Sequence, residues 1–312
     1  MVEAGNRDMA TDARPSISTT SQSVDEMTTS YRQRARWRRS GFLATAGMYL
    51  GITAMALIVL FPIYWMVSMS FKTPREINRV PALWPQTVTI ENYRELIVER
   101  DFLTAIRNSA IVATSVTVVA LSIASLAAYS QVRFRYRFRG FLGRLIQFGY
   151  LMPTSLLFIP LAIIVAKLSL GNSLHGLVII YMTFALPVAT WMLTNFFKSV
   201  PRDLEEQAMV DGDTRIGAFL HIVLPLSVPG LAAVSIFTFT GAWNELLFAL
   251  IFISSEDLRT VSLSLQYLIT GDVYRWGPIM AGATLASLPV VLLYFFAQRF
   301  IVQGGLAGSV KG

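Results

Sequence analysis

The residues able to do chemistry are few and fall in two places. One is Trp243-Asn244-Glu245, where an amide and a carboxylate interrupt an apolar run. An ionisable group in such a run is costly in lipid, so Asn244 and Glu245 either line a translocation path or make a structural polar contact near interfacial water. The other place is 199–225, which holds Asp203, Glu205, Glu206, Asp211 and Asp213 together with Gly212 and Gly217. The two histidines, His175 and His221, are too few and too far apart for a metal site, and the lack of cysteine excludes thiol chemistry. No Gly-x-x-x-x-Gly-Lys-Ser/Thr loop is present: Gly308-Ser309-Val310-Lys311-Gly312 has neither the spacing nor the following hydroxyl residue. With no Ser/His/Asp or paired-carboxylate constellation, the expectation is a non-enzymatic chain with no ATPase site, metal or cofactor of its own.

Segment 199–225 reads as two short helices. Pro201 in a first turn, acids at the positive helix end and Gly212 as a stop predict one helix over about 201–210. Asp213 or Thr214 can cap a second, in which Ile216, Phe219, Leu220 and Val223 recur at helical spacing and Pro225 ends the run. Two helices meeting at a glycine make a rigid elbow.

The elements that carry these residues are membrane spans. The chain of 312 residues is 54% hydrophobic and 14% charged, against roughly 25% charged in soluble domains. Charges bound about six apolar runs: between Arg39 and Lys72, Arg107 and Arg133, Arg144 and Lys167, over 173–197, over 227–253, and between Arg275 and Arg299. Each has room for the roughly 20 residues of a membrane helix, and the alternating pattern of a barrel is missing. An all-α integral membrane protein follows. Arg32 to Arg39, the acid-free run Arg133 to Arg144, and Lys198, Arg202 and Arg215 put both termini and the elbow in the cytoplasm. The outer loop 72–101 also holds Lys and Arg, balanced by acids. The net charge of +7 sits beside apolar spans, as topology requires, so nucleic acid is not the expected partner; membrane lipid is. The predicted organisation is a disordered basic cytoplasmic tail over 1–41, a transmembrane domain over 42–301 containing the 199–225 loop, and a cytoplasmic tail over 302–312.

At Glu206-Gln207-Ala208, Gly212 and Ile222-Val223-Leu224-Pro225 the chain resembles the inner-membrane permeases of ABC importers, whose loop reads Glu-Ala-Ala, three residues, Gly, nine residues, Ile-x-Leu-Pro; Gln207 replaces the first alanine. Ser70-Phe71-Lys72, Trp84-Pro85, Asn92-Tyr93, Asn108-Ser109 and the ending from Gly305 to Gly312 are similar to the maltose-type, carbohydrate-uptake branch. The resemblance implies the ABC importer permease fold in a bacterial plasma (inner) membrane, crossing it several times. It also implies that 199–225 is a coupling loop, with Glu205, Glu206, Ala208, Asp211, Gly212, Ile222, Leu224 and Pro225 docking on an ATPase. The implied partners are a second related permease, an ATPase dimer that holds the ATP and Mg, and an extracytoplasmic solute-binding protein. The outer segment 254–276 is either that protein's contact or a plain connection, and the C-terminal tail either reaches the ATPase or frays. The alternative to an ATP-driven permease for a carbohydrate-like solute is an ion- or proton-coupled secondary transporter, which requires charges near the bilayer midplane that this chain almost lacks.

Overall fold

The computed structural model describes residues 45, 47–79, 82–270 and 273–309. The basic tail with its arginine cluster, Asp272 and residues 310–312 lie outside them. The chain divides into two compact units, Met1–Tyr64 and Trp65–Gly312. In the first, the described chain belongs to the apolar helix α1, Gly47–Ser70, whose last residues enter the second.

The second unit continues with α2 (Pro74–Ile77) and α3 (Glu91–Arg94), then a π-helical turn, Glu95–Glu99, and α4 (Phe102–Arg133). Helices α5 (Arg139–Leu151), α6 (Phe158–Lys167) and α7 (Leu174–Ser199) follow. The elbow consists of α8 (Arg202–Val210), α9 (Arg215–Ala218), a π turn (Phe219–Val223) and α10 (Leu224–Leu226). After it come α11 (Val228–Asn244), α12 (Leu247–Phe252), α13 (Val261–Gln266) and α14 (Trp276–Ser309). A two-residue hairpin, β1 (Ile269–Thr270) with β2 (Val273–Tyr274), pairs Ile269 with Tyr274 ahead of α14.

Among the described residues, four helices are long and apolar enough to cross a membrane: α1, α4, α7 and the apolar part of α14. The expected third and fifth spans are not straight. Arg139–Leu151 and Ser155–Lys167 meet at 96°, and each alone is too short to cross roughly 30 Å of hydrocarbon. Pro153 has no N–H to continue the α5 ladder and biases Met152 to the extended backbone it adopts. The expected run over 227–253 starts at a 75° bend, where the elbow segment Arg215–Leu226 meets α11. It breaks again after Asn244, because Glu245 is extended and caps a new helix with its carboxylate. Counting each bent pair as one span gives up to six among the described residues, the second pair joining the elbow segment Arg215–Leu226 to α11.

Helix α4 packs mainly on α7 and α11. Its buried face is made of small residues, with Ala113, Ala120, Ala124 and Ala128 fully covered and Ala189 of α7 equally so. In lipid, apolar burial gives little drive for helix association, so close backbone approach and dense packing must supply it, and alanine permits both. Two apolar clusters result. One joins Phe102, Val112, Leu177, Tyr181, Trp243, Phe248 and Leu263. The other joins Ala128, Tyr129, Leu193, Phe197 and Val234 to Phe219 and Val223 of the elbow. The elbow is thus welded to α4 and α7.

The motif residues of the outer loop form a knot. Asn92 donates its amide to the carbonyls of Ser70 (2.8 Å) and Lys72 (2.9 Å), and the Ser70 hydroxyl meets Tyr93 at 2.7 Å. Lys72 reaches the Ala82 carbonyl and lies over the Trp65 ring. Glu95 gathers Arg100 and Arg275. Several charges that weigh against the orientation rule are therefore used in tying the loop down.

Candidate functional site

Helix α8 starts one residue later than expected, with Pro201 as the cap. It stops in a Schellman turn: the Asp213 N–H donates to the Ala208 carbonyl at 3.0 Å and the Gly212 N–H to Met209 at 3.3 Å. Gly212 sits at φ +101°, in the left-handed region, with open space where a Cβ would be. Of the two capping candidates, Thr214 is the cap, its hydroxyl accepting from the Gly217 N–H at 3.0 Å. The Asp213 carboxylate instead folds over Gly217, where a Cβ would lie 1.7 Å from its Oδ1. It reaches His221 Nδ1 at 3.0 Å. That hydrogen bond holds the Asp213 carboxyl below the ordinary carboxylate range. A lowered folded value means the pair stabilises the elbow while Asp213 is ionised and stops doing so only on strong acidification.

The expected apolar stripe splits. Phe219 and Val223 are buried, whereas Ile216 and Leu220 stay exposed. A π turn over Phe219–Val223 adds a residue to the repeat and rotates the later positions away from straight helical spacing. Helix α10 carries Pro225 and ends one residue past it, at Leu226.

The adjacent acids of α8 lie on different faces. Glu206 is exposed, and Glu205 is 5% exposed. The Glu205 carboxylate pairs with Arg133 Nε and accepts from the Tyr129 hydroxyl at 2.9 Å; Arg133 also donates to the Val200 carbonyl at 2.8 Å. Arg202 adds a bond to the Val132 carbonyl at 2.8 Å. These attachments all meet the inner end of α4. Glu205 was expected on the docking face with Glu206; its carboxylate is turned inward and taken, because successive residues of a helix lie about 100° apart.

The remaining members of the set are nearer the surface. Ala208, Asp211, Ile222 and Pro225 line one groove of about 350 Å³ between α8 and α10. Glu206 and Gly212 are exposed outside it, and Leu224 is half-buried against the inner cluster. Val210, 86% exposed, and Ile216, 72% exposed, leave apolar surface at the turn of the elbow.

At the other candidate position, Glu245 caps α12 by accepting from the Phe248 N–H at 3.0 Å and the Ala249 N–H at 3.3 Å. The buried Tyr181 of α7 lies in its field. Asn244 is exposed and donates to Thr240 one turn back. The sequence reading missed the inward role of Asn108 and Ser109. Asn108 donates to the carbonyls of Asp257 and Arg259, at 2.8 and 3.0 Å, and the Ser109 hydroxyl accepts from the Val261 N–H at 2.8 Å. The signal was there in two polar residues at the head of an apolar span.

Several helices long and apolar enough to cross a membrane, with an elbow fixed to two of them and acid and apolar surface left outside, define a multi-span membrane protein. Residues 103–304 match the family of binding-protein-dependent transport system inner membrane components, and the chain belongs to it. It is 36% identical over 273 residues to the inner membrane ABC transporter permease protein YcjP of Escherichia coli, covering 86% of this chain and 98% of that one. It is also 36% identical over 266 residues to the diacetylchitobiose uptake system permease protein DasC of Streptomyces coelicolor, covering 84% and 96%. To the trehalose/maltose transport system permease protein MalG of Thermococcus litoralis it is 33% identical over 269 residues, covering 85% and 96%. The fold matches a chain of a bacterial ABC transporter that imports the acidic polysaccharide alginate, with TM-score 0.68, 21% identity and coverage of 83% and 95%.

Proposed function

We propose that the chain is one permease subunit of an ATP-driven importer for a carbohydrate-like solute in a bacterial inner membrane. The observation that carries this is the elbow: Glu206, Asp211 and the apolar turn stay outside, while Glu205, Phe219 and Val223 lock its other face to α4 and α7. A part built this way moves its spans when something pushes it. The relatives named for trehalose/maltose and diacetylchitobiose support the solute class. The partners are a second related permease, an ATPase dimer holding ATP and Mg, and an extracytoplasmic solute-binding protein, the last supported by an alginate transporter neighbour solved with a periplasmic protein. Nucleotide binding closes the ATPase dimer, draws the elbows together and turns the central cavity outward.

Copurification and uptake in vesicles test this reading. An ATPase partner with uptake that needs nucleotide supports it. Uptake driven by an ion gradient without nucleotide replaces it with a secondary transporter.

A further inference from the structure

A groove of about 390 Å³ opens between α5 and α7 beside the elbow, and nothing in the transport mechanism uses it. Three cations line it: Arg139 and Arg144 from α5 and Lys198 from α7. No acid is among its lining residues. Among the described residues, Arg144 and Lys198 have no hydrogen-bond or ion-pair partner, and Arg139 has only a long contact of 3.5 Å to the Phe134 carbonyl. Trp191, Thr194 and Lys198 follow one another at i, i+3 and i+7 on one face of α7, so the wall passes from an aromatic through a hydroxyl to an ammonium. The Trp191 ring is stacked on Tyr150 of α5 at 5.3 Å and 7°, which fixes the apolar end. Such a gradient, at the cytoplasmic ends of two apolar helices, is that of a bilayer's headgroup layer.

We propose that this groove binds the phosphate headgroup of an anionic phospholipid of the cytoplasmic leaflet. The phosphodiester takes Arg139, Arg144 and Lys198, the glycerol lies along Thr194, and the acyl chains leave past Trp191 and Tyr150 into the hydrocarbon. Convergence of cations from two helices distinguishes the groove from the rest of the basic loop, where Arg135 and Arg137 are exposed and line no part of it. A bound lipid would brace α5 against α7 next to the elbow.

The test uses the full chain in its assembled complex, in nanodiscs of phosphatidylcholine with added phosphatidylglycerol, and counts retained phosphatidylglycerol by native mass spectrometry. Each groove cation changed to glutamine (R139Q, R144Q, K198Q) should lower retention roughly fivefold, as expected for one basic group at an anionic surface. Lys198→Arg should keep it, and Arg135→Gln with Arg137→Gln should change it little. A loss from the control pair as large as that from each groove variant would reduce the effect to general surface charge and overturn the site. Displacement by millimolar inorganic phosphate would make it a free-anion site, and a complex that retains no phosphatidylglycerol would show that a protein partner covers the groove. Both results overturn the lipid proposal.

Discussion

Glu205 and Glu206 show how far one residue's type can mislead when its direction is unknown. Both are acids in the matching loop, and nothing in their type separates them; the discriminating signal is Arg133, at the end of a helix distant in sequence. Because Glu205 and Arg133 are buried together, with side chains 6% and 8% exposed, Glu205→Ala leaves a guanidinium unpaired and should cost about 3–5 kcal/mol of stability. Thermal unfolding of the purified complex should show it. Adding Arg133→Met should recover much of the loss; no recovery would mean the pair is not what holds α8 to α4. Glu206→Lys should behave differently, leaving insertion and folding intact while lowering uptake and recovery of the ATPase. Normal uptake with intact assembly would remove Glu206 from the docking face.

The two-helix elbow was legible as an element because its stop and its cap are local chemistry: a glycine for a left-handed residue and a threonine before a helix. Its packing was less so: Phe219 and Val223 turn inward while Ile216 and Leu220 stay exposed, and helical spacing could not foresee the π turn over 219–223. At Gly212 a Cβ meets nothing, so only the backbone resists substitution. Gly212→Ala should cost on the order of 1 kcal/mol, and the β-branched Gly212→Val more. The valine variant should therefore misaim the elbow and lower solute-stimulated ATP hydrolysis and uptake more than protein abundance. Reconstituted vesicles containing every partner decide this, and normal values for both activities would end the rigid-elbow account. Gly217 carries a sharper expectation that spacing did not suggest. A methyl there collides with Asp213 Oδ1, so Gly217→Ala should expel the carboxylate from His221, and the Asp213 carboxyl should rise toward its ordinary value in an NMR titration.

At the scale of the molecule, the straight spans were legible because charges bound them, while the bends were not, because hydropathy records composition and not direction. Pro153 and Glu245 were both visible in the sequence, yet Pro153 reads as packing and Glu245 as a path or polar contact until a backbone shows the ladder stopping there. What no local pattern could convey is that one helix holds both ends. Helix α4 has 32 residues, about 48 Å at the α-helical rise. Its outer end grips the segment after α12 through Asn108 and Ser109, and its inner end grips the elbow through Tyr129 and Arg133. If the outer segment receives the solute-binding protein, α4 is the rod that carries that event to the ATPase side. Asn108→Ala removes both donors to the Asp257 and Arg259 carbonyls, at a cost of about 1–3 kcal/mol for polar groups left unpaired. Hydrolysis without binding protein should persist in this variant, and stimulation by solute-loaded binding protein should fall. The measurement is ATPase activity with and without that protein, at matched complex concentration. If stimulation survives undiminished while the variant is measurably less stable, Asn108 only anchors a loop, and the signal reaches the elbow through α7 or α11 instead.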